Sequence, residues 1–156
     1  MRRVVVDAVV AGVAPDAVFV KVIDFRRYAE LAPHVETVTV DNLDTTDHGR
    51  SSWELRFRSG LLRWTEQESF LRDQGRIEFA QQHGDFEQFT GHWTLERDGT
   101  GTRVHFEAAF DFGISSLESI LDPIAERVIA ETVAWALTGL FDDVAMDREL
   151  DRSDRA

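Results

Sequence analysis

The chain contains no cysteine. Disulfides, thiolate nucleophiles and thiolate metal sites are therefore excluded. Basic charge is scarce. Against 29 Asp and Glu stand 17 Lys and Arg, for a formal net charge of -12. A nucleic acid needs a basic surface to meet its phosphates, so a nucleic-acid partner is excluded. An anionic membrane face is disfavoured by the same sign. Lys21 is the only lysine, a feature of composition rather than of function. No apolar run reaches the roughly 18 residues of a membrane span. Residues 1–12 alternate and carry no small-residue cleavage site, so they predict a first strand, not a signal peptide. A cytoplasmic location is the default expectation. Tyrosine occurs once, at Tyr28, beside 11 Phe and 4 Trp. Large rings without polar handles suit a wide apolar interior.

The 156 residues fit one domain, 1–156, with a charged tail at 147–156 expected to fray. Residues 3–11 are Val-rich and stop at Gly12, which predicts a strand. Pro15 then opens a helix, since its missing N–H costs nothing at the first helical position. A second short helical stretch, 25–31, ends before Pro33. From Val35 the pattern becomes two-fold. Strands are predicted at 35–42, 50–58, 61–72, 76–82, 86–97 and 102–112, separated by turn residues such as Asp98-Gly99. A long helix is predicted from Leu117 to about Leu150, with Ser116 as N-cap and an apolar stripe of Ile120, Ile124, Val128, Trp135 and Leu140. Pro123 predicts either a kink or a later start at Asp122. The fold class is α+β: about seven antiparallel strands in a curved meander, two short helices after the first, and one long C-terminal helix covering the apolar face.

Turn positions predict registers. A turn at Ser59-Gly60 sets Trp53 opposite Glu66; one at Gln74-Gly75 sets Glu68 opposite Gln81; one at 83–85 sets Gln81 opposite Glu87; one at Asp98-Gly99 sets Trp93 opposite Val104. All agree on one apolar face, including Trp53, Leu55, Trp64, Phe79, Phe89, Trp93, Phe106 and Phe110. The same parity places Glu66, Glu68, Gln81 and Glu87 on that face. A solid core rejects unpaired carboxylates, so a hollow between sheet and helix is predicted there. On the outer face, His92 and His105 fall directly opposite each other. Two imidazoles without a third donor make a poor metal site, so none is expected.

The stretch Ile23-Asp24-Phe25-Arg26-Arg27-Tyr28-Ala29-Glu30-Leu31-Ala32-Pro33-His34-Val35, with Trp64-Thr65, Gly91-His92-Trp93 and Gly101-Thr102-Arg103-Val104, resembles the polyketide cyclase/dehydrase family. That family belongs to the START and birch-pollen-allergen superfamily of helix-grip folds. The resemblance spans about residues 3–145. It implies a helix-grip fold and an activity among aromatase/cyclases, coenzyme-Q-binding proteins or lipid-binding proteins. In the aromatase/cyclases the strand beginning Trp-Thr carries an inward Ser two positions after the Trp and an inward Arg two further on. Here those positions hold Glu66 and Glu68, so the geometry carries over and the Arg chemistry does not.

Glu66 and Glu68 are the candidate acid/base pair, because like charge and burial both raise a carboxyl pKa. The plainer reading is a wetted cavity mouth where each Glu pairs with an Arg such as Arg127. His34, following Pro33, is a candidate proton shuttle or a solvated loop residue. Tyr28 either orients a ligand oxygen or packs. Candidate ligand contacts are Trp53, Trp64, Phe79, Gln81, Glu87, Phe89, Trp93, Phe106, Phe110, Arg127 and Trp135, the rings serving equally as core. The function expected is a cyclase or dehydratase for a polyketide-like molecule, without metal or redox cofactor. Delivery by an acyl carrier protein goes with it, and a homodimer is left open. The alternative is a non-catalytic carrier of a quinone, polyketide or lipid.

Overall fold

The computed structural model describes residues 1–41, 47–148 and 150. Asn42 and most of the tail predicted to fray lie outside them. The chain opens with strand β1, Arg2–Val10, then helix α1, Pro15–Val22, with Pro15 in its first turn. A 3₁₀ turn at Phe25–Arg27 leads into α2, Tyr28–Leu31. Ala32 leaves the helix in an extended conformation, as a residue before proline prefers.

Six strands follow: β2 Val35–Asp41, β3 His48–Phe57, β4 Gly60–Leu71, β5 Arg76–Gly84, β6 Gln88–Asp98 and β7 Gly101–Asp111. The long helix α3 spans Glu118–Leu140. It is shorter than predicted. The chain turns at Phe141 into a further strand, β8 Val144–Met146, which pairs with β1. The sheet therefore has eight antiparallel strands in the order β2-β3-β4-β5-β6-β7-β1-β8.

The predicted registers are displaced by two, at β3–β4 and β6–β7 because a two-residue turn sits one position away, at β4–β5 because a longer turn closes Leu71 against Arg76, and at β5–β6 because a longer loop sets Phe79 opposite Gly91. The β3–β4 turn is Arg58-Ser59, closed by Phe57 opposite Gly60. Arg58 takes the left-handed conformation there, at φ 56°. The β6–β7 turn is Gly99-Thr100, with Gly99 left-handed at φ 59°. Moving a two-residue turn by one position changes the partner sum by two, so every side chain keeps its face. Trp53 thus faces Trp64, Glu66 faces Ser51, Glu68 faces Phe79, and Trp93 faces Phe106.

The predicted apolar face is the buried face. Trp53, Leu55, Trp64, Ile77, Phe79, Phe89, Trp93, Phe106 and Phe110 all belong to one core. Helix α3 is gripped by this face, and from Ala125 to Leu137 only Glu126 and Arg127 escape full burial. Small residues such as Ala130, Ala134 and Ala136 let it approach the sheet closely. Two predictions about its start fail. Ser116 lies in a 3₁₀ turn, Ser115–Leu117, and does not cap the helix. Ile120 points outward, since the first turn of α3 precedes the part that meets the sheet. The helix runs through Pro123, which forgoes one intrahelical bond in the second turn. Among the described residues no helix is long and apolar enough to cross a membrane.

Candidate functional site

Strand β4 turns Trp64, Glu66 and Glu68 to the helix side, as strand alternation demands. Glu66 is 6% exposed and Glu68 2%. Neither has a cationic partner among the described residues. Arg127, the predicted partner, sits on α3 and pairs instead with Glu131, at 3.1 Å. Arg127 is itself mostly exposed, so its guanidinium stays in water rather than entering an apolar interior.

The buried carboxyl groups are held by a relay of hydrogen bonds. The Trp53 indole donates to Ser51 Oγ at 2.7 Å, and the Ser51 hydroxyl donates to Glu68 Oε2. The Trp64 indole donates to Glu66 Oε1 at 2.8 Å. Glu66 and Glu68 lie beside each other on the strand, and Glu68 Oε1 is buried without a hydrogen-bond partner. The two indole rings stack across the β3–β4 pair, nearly parallel at 8° and 6.0 Å apart. Burial raises both carboxyl pKa values. For Glu66 the neighbouring Glu68 charge raises it further, well above the usual range. For Glu68 the adjacent Glu66 carboxyl and the hydrogen bond from the Ser51 hydroxyl oppose the rise. Burial and the neighbouring like charge thus favour the protonated form more strongly at Glu66 than at Glu68.

Glu66 alone of the pair opens onto an internal cavity of about 50 Å³. The predicted residues Tyr28, Trp53, Trp64, Phe79, Phe89, Trp93 and Phe106 line it with Glu66. Ile129, Thr132 and Val133 of α3 form its roof, and Phe25 and Leu55 complete the wall. The space has room for a few waters, at roughly 10–15 Å³ each. The rings fill most of the interior that they were predicted to leave wide. Tyr28 contributes its ring but not a free hydroxyl, which donates to the Val22 carbonyl at 2.6 Å.

Several predicted contacts lie elsewhere. Glu68 is not among the residues that line the cavity. Phe110 packs into a second ring cluster with Phe86 and Phe112, at 5.4 and 5.5 Å. Trp135 is buried in the core, away from the cavity lining. Gln81 ties down the β5–β6 loop through the Phe86 backbone, donating to its carbonyl at 2.9 Å. Glu87 is exposed, contrary to its predicted inward face. That loop is irregular and turns Phe86 inward instead, which breaks the alternation. His34 does not reach the cavity lining; its Nε2 lies 3.2 Å from Glu131 Oε1. Residues the prediction missed include Ser51, although it shares the parity of Trp53, and Glu131, which helical spacing places one turn before Trp135.

A sequence profile described as "Polyketide cyclase / dehydrase and lipid transport" matches residues 12–137. No curated protein matches the chain. Among solved structures, a Thermus thermophilus protein superimposes with a TM-score of 0.77 at 24% identity, covering 88% of this chain and 93% of that one. The Zhui aromatase/cyclase of Streptomyces sp. R1128 gives 0.75 at 16% identity, covering 89% and 93%. A START superfamily protein of Mycobacterium smegmatis gives 0.73 at 15% identity, covering 91% and 98%. These likenesses bear out the helix-grip fold predicted from the motifs. The chain belongs to the polyketide cyclase/dehydrase and lipid transport family.

Proposed function

We propose that the chain binds an apolar, polyketide-like molecule between the sheet and α3 and moves protons on it with the Glu66–Glu68 pair, as a cyclase or dehydratase. The observation that carries this reading is the pair of buried carboxyl groups at the cavity wall, held without a cation among the described residues. A carboxyl pair buried without a cation destabilises the fold, which a purely structural wall has no reason to carry. As a unit it can give a proton to a ketone or hydroxyl oxygen and take one from an α-carbon. Glu66 faces the substrate. Glu68 and Ser51 stand behind it, and the Trp64 N–H stabilises the Glu66 carboxylate once its proton has gone. The flat walls of stacked indoles and edge-on rings suit a conjugated substrate. A substrate larger than a few waters enters only when the rings or α3 give way.

A β-keto thioester deuterated at its α-carbon tests the reading. Wild-type protein should accelerate loss of the label to water, followed by NMR. Glu66→Gln should reduce that acceleration by about 10²-fold or more, in line with the usual contribution of a positioned acid/base. Equal exchange by wild type and variant would remove the pair from the mechanism.

The second reading, a carrier, is favoured by the lining, in which Glu66 is the only charged residue. A tightly retained, chemically unaltered lipid identified by mass spectrometry of the purified protein would favour it.

A further inference from the structure

The outer face of the sheet carries a cluster that the cavity does not use. The observed β6–β7 register puts His92 opposite Glu107 and Thr94 opposite His105. His92 and His105 are thus diagonal neighbours rather than a direct pair, with ring centroids 6.0 Å apart. The shift brings in the third donor that the predicted register lacked. One imidazole nitrogen from each histidine and one Glu107 oxygen lie within 4.8 Å of one another, and all three residues are partly exposed.

We propose that His92, His105 and Glu107 form a binding site for a first-row divalent cation of the zinc class, spanning β6 and β7. Two imidazoles and a carboxylate are a donor set that such ions accept, leaving a fourth position for water. Donors each about 2.0–2.1 Å from one ion stand roughly 3.3 Å apart in a tetrahedron. His105 Nε2 and Glu107 Oε1 are already 3.2 Å apart. The His92 ring makes no hydrogen bond among the described residues, so it is free to rotate toward them.

The surroundings hold the donors from behind. Asp7 on β1 pairs with His105, and its Oδ1 lies 2.6 Å from Nδ1. A carboxylate there fixes the proton on Nδ1 and turns the Nε2 lone pair outward, the usual arrangement behind a metal-bound histidine. Arg3 holds the other oxygen of Glu107 at 3.0 Å, leaving Oε1 for the ion. Arg76 is paired with Glu78, at 2.8 Å, which moderates its repulsion of a cation. The competing arrangement has a doubly protonated His105 bridging Asp7 and Glu107 with no ion.

Tag-free protein, stripped with chelator and then dialysed against micromolar zinc, discriminates the two. Wild type should retain one zinc per chain by elemental analysis. His92→Ala and Glu107→Gln should each weaken binding at least tenfold, with melting curves confirming that both fold. Asp7→Asn, a positioning change, should weaken it by about 10-fold. His34→Ala, far from the cluster, should leave binding unchanged. No retained zinc, or zinc retained equally by His92→Ala and Glu107→Gln, would overturn the site and leave the ion triad as its explanation.

Discussion

Glu66 sits between two demands. Its carboxyl accepts from the Trp64 indole and lies beside that of Glu68, while apolar rings surround it. Its pKa is raised by burial first and by the Glu68 charge second, so the folded chain binds this proton more tightly than the unfolded chain does. The stabilising contribution of such a group is complete below the ordinary glutamate range and is lost as pH rises through the folded value. Glu66→Gln keeps an acceptor for the Trp64 indole and offers an N–H to the Glu68 carboxylate. The variant should match wild type in acid and exceed it in stability as pH rises above the ordinary range. The difference should grow by up to about 1.4 kcal/mol per pH unit inside that window. Urea unfolding across a pH series reads the difference directly. Parallel curves would mean that Glu66 carries no extra proton.

The strands show why inward residues could be read before their partners. Alternation along β4 fixes the faces of Trp64, Glu66 and Glu68 from sequence alone, and burial agrees at each position. Partner identity depends on where each turn closes. Arg58 in a left-handed turn is not a residue that turn statistics favour, so its choice was illegible. The β5–β6 connection was the hardest, because Phe86 enters the core through irregular backbone and carries Glu87 outward. Gly91 is a case where packing explains a small residue. A Cβ there would lie 2.4 Å from the Phe79 ring and 2.5 Å from the Glu107 carbonyl oxygen. The carbonyl belongs to the neighbouring strand and cannot step aside. Gly91→Ala should therefore destabilise by about 1–3 kcal/mol, the usual cost of overpacking, seen as a lowered urea midpoint. An unchanged midpoint would show that β6 and β7 can part at no cost.

At the scale of the whole molecule, a sheet wrapped around one helix leaves a small chamber rather than an open cup. The roof is made by side chains of α3, so its size should respond to them. Ile129→Ala should cost about 2–5 kcal/mol in unfolding free energy and tighten binding of an apolar aromatic probe such as naphthol by enlarging the chamber. Calorimetry of probe binding checks this. A destabilised variant with no gain in affinity would place the ligand elsewhere than under the helix. The chain's own order of elements already implied the antiparallel sheet, the covering helix and the two inward acids, because those follow from period-two and period-3.6 patterns local to each segment. Only the folded arrangement decided that α3 stops at Leu140 and yields to β8, and that Ser51 stands behind Glu68. It also decided that Arg127 turns to Glu131, and that Glu107 rather than His105 lies opposite His92. Each of these depends on turn closure and on contacts between residues far apart in sequence, which no local period encodes.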